Sequence, residues 1–186
     1  DPRAHVCPMG FWGLKKVIER HLYDPHAVLL FEPQDALLIS GDALWENGFG
    51  VVFPELEGED AFAAVGATLD LIAQLAPRLV LPGHGSLFGD VPRALATARK
   101  RLAGFQSDPF KHALYAAKVL LKYKLLEWQR APWPQVQTWA QATPLFHAMH
   151  QRHFAAQPFS TWVQSLAQQL EHSGAAQREG EWLVNR

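Results

Sequence analysis

Apolar residues cluster in two different ways along this chain, and the alternation between them outlines its elements. Ala27-Val-Leu-Leu-Phe31 is an unbroken apolar run, followed by the turn material Glu32-Pro-Gln-Asp35 and then by Ala36-Leu-Leu-Ile39 running into Ser40-Gly-Asp42. Short continuous runs bounded by turn residues predict two buried strands, 27–31 and 36–41, joined tightly. Between Glu59 and Leu75 the apolar positions move to 62, 65, 69, 72 and 75, the spacing of a helix that Pro77 stops. Leu79-Val-Leu81 predicts a third short strand, 79–82, ending at Pro82-Gly-His-Gly85. A strand pair, a covering helix and another strand make an α/β layered order. Upstream, Phe11–Leu22 (FWGLKKVIERHL) has helical spacing.

Beyond residue 90 the helical period dominates. Val91–Phe105 reads as a helix with Arg99, Lys100 and Arg101 on its exposed side. Asp108-Pro109 is a helix start, with Asp as N-cap and Pro at the first helical position. That helix runs to Arg130 with Leu114, Ala117, Leu121 and Leu125 on one face, and Pro132 and Pro134 break it. Two more helical stretches are predicted near Pro144–Ala156 and Ser160–Ser173, the second capped by Ser160 and ended by Gly174. Gln177–Val184, centred on Glu179-Gly180, predicts a small β-hairpin. Helices followed by a terminal hairpin are the element order of a winged helix. No internal repeat is visible.

Composition narrows the class. A hydrophobic content of 48% with 19% charged residues describes a globular protein rather than a disordered one. No apolar run approaches the roughly 20 residues a membrane helix needs, and the N-terminus lacks a signal-peptide layout. The single cysteine, Cys7, excludes an internal disulfide and reads as an inert small residue. These features lead to the expectation of a cytoplasmic protein without a membrane partner. Residues 1–96 hold 6 Lys+Arg and 13 Asp+Glu, a net −7, whereas 97–186 hold 11 and 5, a net +6. That asymmetry places a boundary near residue 95 and admits two explanations: surfaces that attract each other, or a basic module for an anionic partner.

Two motifs carry chemistry. Ser40-Gly-Asp42-Ala-Leu44 holds a carboxylate at a strand end, and Leu81-Pro-Gly-His84-Gly85 delivers an imidazole in the same way. Strand ends are rigid mounts, and glycine beside a ligand allows close backbone approach. Carboxylate and imidazole are donors that zinc, iron or manganese accept. An N-capping Asp and a hydrogen-bonded loop His are the bland alternatives for this pair taken alone.

Residues 24–91 resemble the second half of the metallo-β-lactamase superfamily domain. The resemblance rests on Asp24-Pro-His-Ala-Val28, the strand pair, Gly41-Asp42, the 59–75 helix and Pro82-Gly-His84-Gly85, in that order. It implies the second half of an αββα sandwich and a hydrolase with two zinc ions, or iron or manganese. Asp42 would bridge the ions as the catalytic carboxylate and His84 would bind one of them. The family's His-x-His-x-Asp-His motif occurs nowhere in the sequence. Where the family places a Gly-His pair, this chain has Leu22-Tyr23; His21 or His26 supplies that metal ligand only with a shift of register. The expected division is therefore an N-terminal segment of unclear origin (1–23), a partial, truncated metallo-β-lactamase-like domain (24–105) and a winged-helix-like helical domain (106–186).

His147, His150 and His153 form a further cluster, but on an α-helix His153 lies about 120° from His147, and the three read as partly exposed structural histidines. Trp133, Trp139 and Trp162 read as core rather than as stacking platforms. The leading functional expectation is a hydrolase of an ester, thioester, lactone or related bond in a small-molecule substrate. Two alternatives stand beside it. One is a nucleic-acid-processing or nucleic-acid-binding relative using Arg178 and Arg99–Arg101 on phosphates. The other is a degenerate, non-enzymatic relative.

Overall fold

The computed structural model describes residues 16–19 and 28–186. Cys7, His21, Tyr23 and His26 lie outside the described residues, as does most of the 1–23 segment. The chain is mixed α/β and divides into two compact units, Asp1–Ser107 and Asp108–Arg186.

The first unit is built on a four-stranded sheet in the order β1-β2-β3-β4, with β1 Lys16–Glu19, β2 Val28–Glu32, β3 Leu37–Gly41 and β4 Leu79–Pro82. The apolar runs form β2 and β3 within a residue of the expected bounds, because alternate side chains are buried on one face: Leu29 and Phe31, then Leu38 and Ser40. Ala36 closes the turn between them at φ 51°. β3 and β4 are parallel, so the chain must cross over, and it does so through α1 Phe53–Glu57 and α2 Ala61–Leu75.

α2 buries Phe62, Val65, Leu69 and Ile72, the face read from its spacing. Its start is capped from outside, since the Glu55 carboxylate accepts hydrogen bonds from the Ala61 and Phe62 amides at 3.0 and 3.2 Å. α3 Val91–Ser107 packs beside α2 with Ala94, Ala98, Leu102 and Phe105 buried.

The helical reading of Phe11–Leu22 is corrected at its centre. Lys16–Glu19 is a strand, paired antiparallel with β2 from Lys16↔Phe31 to Glu19↔Val28. Val17 and Ile18 are β-branched, and a ladder to an existing strand outweighs a weak local helical period.

In the second unit, α4 Pro109–Trp128, β5 Arg130–Pro132, α5 Trp133–Ala142, α6 Pro144–Met149, α7 Phe159–His172, β6 Ala176–Glu179 and β7 Trp182–Asn185 follow in order. The last two strands form the expected hairpin, turning at Gly180 (φ 61°). β5 joins them in a three-stranded antiparallel sheet ordered β5-β7-β6. Neither β5 nor α5 was expected. Pro132 and Pro134 do not merely break the preceding helix. Pro132 ends β5, and Pro134 lies in the first turn of α5, where a missing N–H costs nothing.

Other details shift as well. Asp108 stands at the N-cap of α4 but its side chain makes no capping bond, and α7 starts at Phe159 behind Pro158 rather than behind Ser160. Ala113 and Ala116 join Ala117, Leu121 and Leu125 on the buried face of α4. The core is aromatic: Trp128, Trp139, Phe146, Trp162 and Phe154 touch in sequence at centroid separations of 5.0–5.9 Å. No helix of the described residues is long and apolar enough to cross a membrane.

Candidate functional site

Because β3 and β4 are parallel neighbours, their C-terminal ends emerge at the same edge of the sheet, the usual place for a ligand site in such sheets. β3 delivers Asp42 there and β4 delivers His84. The backbone is shaped for this. Gly41 takes a left-handed conformation (φ 52°) at an irregularity in the β3–β4 register, turning the chain so that Asp42 leaves the strand line. The Gly83 amide donates to the Gly41 carbonyl at 2.8 Å, locking the two ends together. A Cβ on residue 83 would lie 3.0 Å from Asp42 Oδ1 and 3.0 Å from the Gly41 carbonyl carbon, so the close approach needs glycine.

His84 Nε2 and Asp42 Oδ1 are 3.7 Å apart, with side chains 56% and 54% exposed. That is too long for a hydrogen bond. It suits two donors on one ion: donors each about 2.0–2.2 Å from a shared zinc lie roughly 3–4 Å apart. The donor chemistry, one carboxylate and one imidazole, also fits. The number of donors fits less well. Among the described residues no group of three or more His, Cys, Asp or Glu side chains comes together to hold a metal. Asp42 and His84 by themselves supply two of the four donors that a tetrahedral zinc site needs.

The segment after Asp42 is pinned by its own hydrogen bonds. Ala43 N donates to Ser40 O, the buried Ser40 hydroxyl donates to Leu44 O at 2.7 Å, and Gly50 N donates to Asp42 O at 3.0 Å. Trp45 and Gly48 exchange backbone hydrogen bonds, and the Trp45 ring stands edge-on to His84 at 5.1 Å. Beside it, the Glu46 carboxylate accepts from Arg93 Nη2 at 2.6 Å, and Arg93 Nε donates to Asp90 at 3.1 Å. These two carboxylates, Glu46 foremost, raise the Arg93 pKa above its ordinary value. Sequence reasoning missed Trp45, Glu46 and Arg93. Trp45 follows Asp42 by three residues, but only the fold shows that it turns toward His84.

The remaining candidates are placed elsewhere. Arg101 is not on an open face: its guanidinium lies over the Phe49 and Phe105 rings at 5.4 and 5.3 Å. Arg99 pairs with Asp70 at 2.8 Å. Arg178 pairs with Glu171 at 3.3 Å and lies over Trp133 at 4.5 Å. His147 and His150 hydrogen-bond the Gln141 and Gln157 carbonyls, each at 2.8 Å. The segment His150–Phe154 is a π-helical turn, so the α-helical phase assumed for the three histidines does not apply. Partial burial first, and the Arg152 charge second, hold the His153 pKa below its ordinary value.

No family model matches the chain, and no curated protein matches it. Among solved structures it is similar to a metallo-beta-lactamase family protein of Thermus thermophilus, at 19% identity and a TM-score of 0.42, over 92% of this chain and 49% of that one. It is also similar to a beta-lactamase domain protein of Burkholderia ambifaria, at 20% identity and a TM-score of 0.40, over 92% and 47%. The chain spans about half the length of either. A likeness this distant says nothing about activity, which has to be read from the side chains.

Proposed function

We propose that this chain is part of a metal-dependent hydrolase of the metallo-β-lactamase type, in which Asp42 and His84 are zinc ligands. The observation that carries the reading is the 3.7 Å approach of these two side chains at neighbouring strand ends, in the motifs that resemble the family's. Held there, a divalent ion would supply Lewis-acid chemistry for hydrolysis near neutral pH. The chain's own part is to present the ligands. The Asp42 carboxylate would hold an ion by charge, His84 would offer a ring nitrogen, and Gly83 has no side chain to press on the Asp42 carboxylate. The His-x-His-x-Asp-His ligands are absent from the sequence, so these two residues alone should hold at most one ion, weakly.

The substrate in this reading is a small molecule with an ester, thioester, lactone or related bond. A nucleic-acid substrate is less favoured, because three of the arginines that would meet phosphates, Arg99, Arg101 and Arg178, already face carboxylates or aromatic rings. For the second unit we propose a winged-helix-like module, on the order of its elements and its β5-β7-β6 sheet.

The test is the zinc content of the dialysed chain together with a calorimetric zinc titration. About one zinc or less per chain is expected, lost in Asp42→Ala and in His84→Ala. Equal zinc binding by the Asp42→Ala/His84→Ala double variant would refute the assignment.

A further inference from the structure

We infer that Trp45 is a positioning residue for His84, and that the segment carrying it serves to hold this one ring against the imidazole. The inference rests on the metal-site reading for its functional meaning, but the geometry stands by itself. The backbone entering His84 is held by the Gly83–Gly41 hydrogen bond, but neither flanking glycine, Gly83 or Gly85, has a side chain that could restrain its ring. Its side chain is more than half exposed and stands 3.7 Å from Asp42, beyond hydrogen-bond length. Among the described residues, the ring in contact with it is Trp45, edge-on at 5.1 Å with an interplanar angle of 79°. Edge-to-face pairs of this kind are directional, so the indole favours one imidazole orientation over others.

Trp45 is itself fixed from several sides. Its amide donates to Gly48 O at 2.7 Å and its carbonyl accepts from Gly48 N at 3.4 Å, closing a tight loop. Gly48 sits at φ 128°, and a Cβ there would meet Arg101 Nη1 at 2.8 Å. Arg101 in turn lies over Phe49 and Phe105, and Glu46 is tied to Arg93. The indole N–H has a different status: Trp45 Nε1 is buried and has no hydrogen-bond partner among the described residues. What the side chain presents to His84 is the edge-to-face contact of its ring. A phenylalanine would keep the ring and remove an unsatisfied donor, which is costly to bury.

The experiment uses the full chain and two readouts. The first needs no metal: the His84 Cα–Cβ rotamer from NMR couplings, with cross-relaxation between the His84 and residue-45 ring protons. The second is zinc affinity by calorimetry. The unmodified chain should show one dominant His84 rotamer. Trp45→Phe should keep that rotamer and a similar zinc affinity. Trp45→Ala should average the rotamer and weaken zinc binding by about tenfold or more, the usual range for residues that orient a metal ligand. Should Trp45→Ala not fold, Trp45→Leu retains bulk without a ring and is expected to average the rotamer in the same way.

An unaltered His84 rotamer in both the alanine and leucine variants overturns the inference, and so does an averaged rotamer in Trp45→Phe. If the rotamer is lost in Trp45→Ala while even the unmodified chain binds no zinc, the positioning holds and the metal reading fails.

Discussion

Gly83 shows how much of the site depends on single atoms. A methyl at this position would press on the Asp42 carboxylate oxygen and the Gly41 backbone, both at 3.0 Å, and backbone cannot swing aside as a flexible side chain can. Gly83→Ala should therefore cost about 1–3 kcal/mol in urea denaturation, the range for overpacking, and should push Asp42 away from His84 with loss of zinc binding. Wild-type stability in this variant would mean that the strand ends are looser than the 2.8 Å bond between Gly83 N and Gly41 O implies.

His153 gives a second expectation at this scale. Burial and Arg152 depress its folded pKa, so the unfolded chain binds its proton more readily. The associated stability is full above the ordinary histidine value of about 6.5 and falls away as pH drops through the lower folded value. Comparing urea midpoints near neutral and mildly acid pH, His153→Gln should show a smaller acid loss than the unmodified chain. An identical loss in both would remove His153 as a contributor. That Asp42 and His84 stand at the ends of neighbouring strands was legible, since each follows a short apolar run and a glycine in the sequence. The contact of Trp45 with His84 was not, because it joins rings 39 positions apart in the sequence.

At the scale of elements, legibility followed the strength of the local signal. β2, β3, β4 and α2 were readable because continuous apolar runs and a five-position helical face leave few alternatives. β1 was misread because its four residues take their structure from the hydrogen bonds of β2, which no local period encodes. β5 was missed for a related reason: it is three residues long and exists by pairing with β7, some fifty positions later. The π-helical turn depends on tertiary contacts, with Phe154 stacked on Trp162 at 5.0 Å and His150 bonded to the Gln157 carbonyl.

Lys122 ties such elements together. Its ammonium on α4 donates to Ala175 O at 2.7 Å, Asn185 Oδ1 at 2.6 Å and Arg186 O at 2.6 Å, using all three of its hydrogens at the far end of the β6–β7 hairpin. Lys122→Met keeps the stem and deletes the donors. It should lower the stability of the second unit by about 1–3 kcal/mol in urea, with faster amide exchange at Ala175 and Asn185. Unchanged exchange there would show that β-pairing alone holds the hairpin.

The molecule as a whole has two hydrophobic cores on either side of Ser107–Asp108. One is aliphatic with Phe49, Phe62 and Phe105; the other is centred on Trp162 and Phe146. The seven tryptophans of the sequence fall unevenly along it, with Trp128, Trp133, Trp139, Trp162 and Trp182 after residue 107 and Trp12 and Trp45 before it. Fluorescence therefore follows mainly the second unit, whereas circular dichroism follows helices of both. Units with separate cores need not unfold together, and the two probes then report different midpoints. The expected result is a non-coincident pair of urea transitions. Lys122→Met should shift the fluorescence transition to lower urea, and Leu38→Ala, which opens a cavity beneath the β3 strand and costs about 2–5 kcal/mol, should shift the other. A site mounted on β3 and β4 would then lose zinc with the Leu38→Ala transition and keep it through the Lys122→Met one. Coincident transitions that move together in both variants would establish a single cooperative unit, and stability of the site would then depend on the whole chain.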